Sequence, residues 1–169
     1  MNAVTTAGTT AGFVLKSTSF SEGGAMAQAQ ACQRQGGGNR SPQLSWSGQP
    51  AGTASFALIM DDDNPPCGTG DQACRHWAVF NLPASVTRLE PGQDISAISG
   101  AVEGLNYTGT TGYAGPCPPQ PHTYSISVYA LDSGMPRVDA GASMTHSGFE
   151  AAYGAHILGS ARLTGVFPS

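Results

Sequence analysis

Positive charge is scarce in this sequence. Seven Lys plus Arg stand against eleven Asp plus Glu in 169 residues, a net charge of −4. There is no basic stripe to neutralise a nucleic-acid backbone or to draw the chain onto an anionic membrane surface, so neither partner is expected. Long apolar runs are missing too. No segment approaches the roughly 20 apolar residues of a membrane-spanning helix. Met1 to Gly12 has neither the basic nor the apolar region of a secretory signal. This small, polar, repetitive stretch reads as a flexible leader. It fits a periplasmic or secreted protein whose signal has been removed as well as it fits the frayed tail of a cytoplasmic one. The expectation is a leader over residues 1–12 and a single domain over 13–169.

Cysteine is sparse, and its spacing excludes a chemistry. None of the four thiols, at 32, 67, 74 and 117, lies two to four residues from another, as paired zinc ligands would. No metal and no other cofactor is expected. Cys67 and Cys74 flank a flexible Gly-Thr-Gly-Asp-Gln-Ala segment that lets the two side chains meet. A disulfide there would contribute roughly 2–3 kcal/mol by the chain-entropy relation; two free thiols are the alternative. A Gly-x-Ser-x-Gly nucleophile elbow is also absent.

Glycine and proline, by contrast, are plentiful. Twenty-three glycines and twelve prolines are too many for a helical bundle and point to a loop-rich, strand-dominated fold. Three strands stand out from alternation and β-branched or aromatic content: Thr53 to Asp61, His76 to Leu82 and His122 to Leu131. Shorter strands are expected at Phe13 to Lys16, Leu44 to Trp46 and Arg162 to Phe167. Ser147 and Glu150 form a capping-box pattern ahead of a helix running to about Gly159. Pro91 to Pro121 lacks periodicity, and a stretch that long is functional or disordered. The fold class read from this pattern is mainly β, a sandwich or distorted barrel with one C-terminal helix.

Three features carry chemistry. Asp61, Asp62 and Asp63 precede Asn64-Pro65-Pro66, where proline stiffens the backbone that holds a carboxylate. An acidic turn bounded by proline ordinarily does no more than end a strand in water. His76 and His122 each open a strand, so neighbouring strands would bring two imidazoles to one end of a sheet. Imidazole donates a hydrogen bond to a phosphate oxygen whether neutral or charged, although a single histidine is more often a satisfied structural residue. Finally, Gly109 to Pro121 is a Gly/Pro loop whose glycines admit close backbone approach to an anion and whose prolines lower the cost of ordering.

Five blocks, Ser41-Pro-Gln-Leu-Ser-Trp46, Asp61-Asp-Asp-Asn-Pro65, His76-Trp-Ala-Val-Phe-Asn81, Gly112-Tyr-Ala-Gly-Pro-Cys-Pro-Pro119 and His122-Thr-Tyr-Ser-Ile-Ser-Val-Tyr-Ala-Leu-Asp132, occur in order from about Phe13 to Phe167. In order and spacing they resemble the phosphatidylethanolamine-binding protein family, in particular its bacterial Raf kinase inhibitor-like branch. The resemblance implies a sandwich of two antiparallel sheets with a small cavity that takes phosphate, acetate or a phosphoethanolamine headgroup. It implies that Asp61 is the pocket carboxylate, Pro65 part of the cis-proline-bearing loop, His76 and His122 the pocket histidines and Tyr124 an aromatic wall. Gly115 and Pro116 would belong to the pocket loop whose backbone amides face the ligand.

The sequence departs from the family at Cys74 and Arg75, where an aromatic and a further histidine are usual. Arg75 would then add a bidentate anion contact or pair with Asp71 at the surface. Cys32 and Cys117 sit where bacterial relatives often have cysteines, which leaves a second bridge open. The expected function is non-enzymatic binding of a small anion or phospholipid headgroup. Ester or phosphoester hydrolysis, or inhibition of a protease or kinase partner, is the alternative, and a homodimer stays open.

Overall fold

The computed structural model describes residues 9–168. Among the described residues, nine strands form two sheets. Strands β1 (Val14–Lys16), β3 (Leu44–Ser47) and β6 (Arg88–Leu89) make the small one. The large one has the order β2-β9-β8-β4-β5-β7, from β2 (Gly24–Ala25), β4 (Ser55–Asp62), β5 (Cys74–Pro83), β7 (Val102–Glu103), β8 (His122–Leu131) and β9 (Ile157–Phe167). Pairing is antiparallel except between β2 and β9, which run parallel. The fold is the expected mainly-β sandwich with one C-terminal helix, α1 (His146–Tyr153).

Side chains alternate across a strand, and in β4 both faces are buried. Phe56, Leu58 and Met60 join Leu15, Trp46, Val79, Ile126 and Val128 in the core between the sheets. Ala57 and Ile59 join Phe80, Tyr129 and Phe149 in a second core beneath α1. Each large apolar side chain fully withdrawn from water contributes roughly 1.5–3 kcal/mol. This double-sided burial fixes β4 in register, because a one-residue slip would exchange its two faces. The six-stranded sheet is therefore a rigid frame for whatever its strand ends carry.

The structure departs from the sequence-based expectations at element ends. Thr145, not Ser147, caps α1, its hydroxyl accepting from the Gly148 amide at 3.1 Å. Glu150 instead accepts from the Tyr129 hydroxyl at 2.8 Å. The helix stops at Tyr153, and β9 starts at Ile157, earlier than the expected Arg162. The Pro91 to Pro121 stretch is ordered by β7 and by a bridge between Leu105 and Thr111. The leader expected over residues 1–12 is in part tied down. The Thr10 amide donates to the Ser160 carbonyl at 2.6 Å, and the Arg162 amide donates to the Thr9 hydroxyl at 3.1 Å. Residues 1–8 lie outside the described residues.

Candidate functional site

A cavity of about 490 Å³ opens where β4, β5 and β8 end beside the core between the sheets. Alternation explains what reaches it. On β8, Tyr124, Ile126, Val128 and Ala130 face the inter-sheet core, and His122 continues that parity. On β4, Asp62 follows Phe56, Leu58 and Met60 to the same face. His122, Tyr124 and Asp62 all line the cavity.

His76 arrives by a different route. Met60 pairs with Trp77 and Asp61 with Arg75, so His76 is an extra residue in β5, a bulge. Bulges re-aim a side chain at the cost of one ladder bond, and this one turns His76 into the cavity while Trp77 stays in the core.

Two hydrogen bonds set the imidazoles. His76 Nδ1 lies 2.6 Å from the Ala114 carbonyl. A carbonyl only accepts, so Nδ1 carries the proton. Burial holds the His76 pKa below its ordinary value, against the opposing pull of the Ala114 bond and of Asp62 and Asp61, so the ring is neutral and Nε2 is an acceptor. His122 Nδ1 lies 2.6 Å from Asp62 Oδ2, in a pair whose side chains are 3% and 2% exposed. Its Nε2 is buried and has no hydrogen-bond partner among the described residues. The Asp62 Oδ1 also accepts from the Asn64 amide at 2.8 Å.

The depressed His76 pKa has a consequence for stability. The folded protein takes up a proton at His76 at a lower pH than the unfolded chain does, near 6.5. Stability is therefore full above that value and falls as pH drops below it, by up to about 1.4 kcal/mol per pH unit. Denaturant midpoints between pH 8 and 5 should fall on acidification in the wild type and fall less in His76→Gln. Equal pH slopes in the two proteins would remove His76 as the cause.

Several of the expected site residues lie outside the lining of this cavity. Asp61 does not line the cavity. It faces the second core, where its carboxylate takes His146 Nδ1 at 2.6 Å and the His146 amide at 2.9 Å, fastening the start of α1 to the sheet. Burial raises the Asp61 pKa, but the His146 bonds outweigh it and the carboxyl lies below its usual range. Arg75, opposite Asp61, shares that orientation and is not among the lining residues. The cis peptide bond joins Pro65 to Pro66, and it is Pro66, not Pro65, that reaches the cavity.

Gly115 and Pro116 are absent from the lining as well. The Gly115 amide donates to Asn39 Oδ1 at 2.7 Å and the Pro116 carbonyl accepts from the Cys32 amide at 2.9 Å. A Cβ on Gly115 would overlap the Gln30 carbonyl. Close packing against residues 30–32 thus explains this glycine.

Both cysteine pairs, Cys67–Cys74 and Cys32–Cys117, are bonded, and all four border the cavity. The remaining wall comes from the Gly/Pro loop, through Tyr113, Ala114, Pro118 and Pro119, and from two further segments with no periodic pattern, one holding Gln33, Arg34 and Asn39, the other Asn106, Tyr107, Thr108 and Thr110. Asn106 pins the second, its Oδ1 accepting from the Thr108 amide at 2.9 Å and its Nδ2 donating to the Gly112 carbonyl at 3.0 Å. Asn followed by Thr and Gly is a turn composition that could have marked this segment. The Tyr107 ring stands 4.9 Å from His76 and the Tyr124 ring 5.0 Å from it, centroid to centroid.

The strand ends of this sandwich thus carry two buried, hydrogen-bonded imidazoles into an aromatic cavity. The profile of the phosphatidylethanolamine-binding protein family matches residues 16–168, and the chain belongs to that family. It is 39% identical over 156 residues to a UPF0098 protein of the archaeon Methanothermobacter thermautotrophicus, covering 90% of this chain and 97% of the relative. Escherichia coli YbcL, described as a member of the mammalian PEBP family, superimposes with a TM-score of 0.80 at 32% identity, covering 93% of this chain and 98% of that one. A homologue from Chlamydia trachomatis described as a putative phosphatidylethanolamine-binding protein gives 0.78 at 35% identity, covering 95% and 99%.

Proposed function

We propose that the protein binds a phosphate-type anion, free or as a phospholipid headgroup, in this cavity and does not turn it over. The observation that carries this reading is the buried His122 Nε2 without a partner, on a ring whose other nitrogen is fixed by Asp62. In its doubly protonated form the ring donates from Nε2 to an anion oxygen. Neutral His76 offers an acceptor in the same cavity, and the Tyr124 ring stands 5.0 Å from His76 and 6.4 Å from His122. A phosphate monoanion has both the oxygens that accept and the hydroxyl that donates.

Hydrolysis would need a nucleophile against His122. Serine does not occur among the residues lining the cavity, and the Thr108 hydroxyl is spent on Asn106 Oδ1 at 2.6 Å. That composition favours binding over turnover. Titration calorimetry with inorganic phosphate and phosphoethanolamine tests it. His122→Ala should weaken binding about 10- to 100-fold, the worth of a hydrogen bond to a charged group, and Asp61→Asn should not. Unchanged affinity in His122→Ala, or ester cleavage by the wild type that this variant abolishes, would overturn the reading.

A further inference from the structure

We propose that Arg34 reads the charge at the far end of the ligand, so that the cavity selects phosphate monoesters with a second negative charge over those ending in an ammonium. The proposal rests on the phosphate-binding reading above and names its ligand class.

Charge bookkeeping around the cavity is the first support. Of the ionisable side chains that line it, Asp62 and His122 satisfy each other at 2.6 Å and His76 is neutral. Arg34 is the sole Lys or Arg in the lining, and among the described residues it forms no ion pair with a carboxylate. A chain with a net charge of −4 thus places an uncompensated guanidinium at the mouth of its imidazole-bearing cavity. Arg34 is itself exposed, so its place on the cavity rim, and not burial, carries the argument.

The second support is rigidity. Arg34 lies in the Gln33–Gln35 turn that Cys32 precedes and Gly36 closes in the left-handed region. Cys32 is bonded to Cys117, the Cys32 amide donates to the Pro116 carbonyl, and the Gln35 side-chain amide donates to the Pro118 carbonyl. The backbone under Arg34 is therefore fastened to the opposite segment of the cavity wall. Its charge also acts on the Tyr107 hydroxyl, although burial is the larger influence there and keeps that pKa above its ordinary value. A guanidinium held at a cavity mouth takes a carboxylate or second phosphate bidentately and repels an ammonium.

The test uses the oxidised, full-length chain and titrates inorganic phosphate, ω-carboxyalkyl phosphates and ω-aminoalkyl phosphates of matched length, about two to five carbons. At the best length, wild type should bind the carboxylate ester at least about tenfold more tightly than the amine ester, the scale of one well-placed charge contact. Arg34→Gln should reduce that ratio to about twofold or less. Arg40→Gln, an exposed arginine outside the cavity lining, should keep the wild-type ratio. No preference in wild type, or a preference that survives Arg34→Gln, overturns the proposal. Failure of inorganic phosphate to bind wild type overturns the binding reading itself. Flotation with vesicles bearing an anionic phosphomonoester lipid separates the sources. Arg34-dependent flotation supports the proposal with a lipid ligand, and Arg34-dependent binding of the soluble esters without flotation supports it with a free one.

Discussion

Asp62→Ala should destabilise the fold by about 3–5 kcal/mol, the usual cost of removing one partner from a buried, hydrogen-bonded charge pair, and should abolish anion binding with it. The substitution leaves His122 Nδ1 without its acceptor in surroundings only 3% exposed and frees the Asn64 amide at the same time. Neighbouring carboxylates supply the controls. Asp63 is exposed, and Asp63→Ala should stay within about 0.5 kcal/mol of wild type. Asp61→Ala should cost stability by loosening α1 yet spare phosphate affinity, because its carboxylate serves His146. Equilibrium unfolding at pH 7 together with phosphate titration of the three variants separates these outcomes. If Asp62→Ala is no worse than Asp63→Ala, the buried pair does not organise the site.

The three adjacent aspartates also show how far a sequence discloses a site. Alternation located β4, β5 and β8, with β8 at the observed His122 to Leu131 bounds, because both faces of those strands have strong and regular apolar demands. The same alternation decides between Asp61 and Asp62, but only once the strand is known to continue through Asp62. Ending it one residue early left the cavity-facing carboxylate unassigned. A bulge is less legible still. It changes parity at a single residue, and nothing in His76-Trp77 announces that two successive side chains face the same side of β5.

The Gly/Pro loop was legible as a cavity neighbour and misleading in detail. Glycine there serves the contact with residues 30–32, which a sequence cannot distinguish from a ligand contact, since both need the same missing side chain. Arg34 and Asn39 gave no warning at all, and Tyr107 only the turn composition around it. They come from irregular segments whose position depends on long-range ties, not on local pattern.

Those ties give the second large effect expected of this protein. Removing the Cys32–Cys117 bond by Cys32→Ser with Cys117→Ser should cost about 4–5 kcal/mol, and removing Cys67–Cys74 about 2–3 kcal/mol, by the chain-entropy relation. The difference arises because the first bond joins residues 85 apart in sequence and the second joins residues 7 apart. The longer loop has more freedom to regain when cut. The native state pushes the ranking the same way. Cys32 anchors the turn that carries Arg34, and the hydrogen bonds from the Cys32 amide and the Gln35 side chain to residues 116 and 118 would have to hold that segment alone. The Cys67–Cys74 loop keeps independent support, since the Cys67 amide donates to the Asn64 carbonyl at 2.8 Å and the Gly68 amide to the Gln72 carbonyl at 3.0 Å. Urea unfolding of the two double variants, with intact masses confirming that the remaining bond is formed, measures the ranking. A smaller loss for the Cys32/Cys117 variant than for the Cys67/Cys74 variant would mean that the unfolded chain is already compact between residues 32 and 117, and loop length would then not govern the stability of this cavity wall.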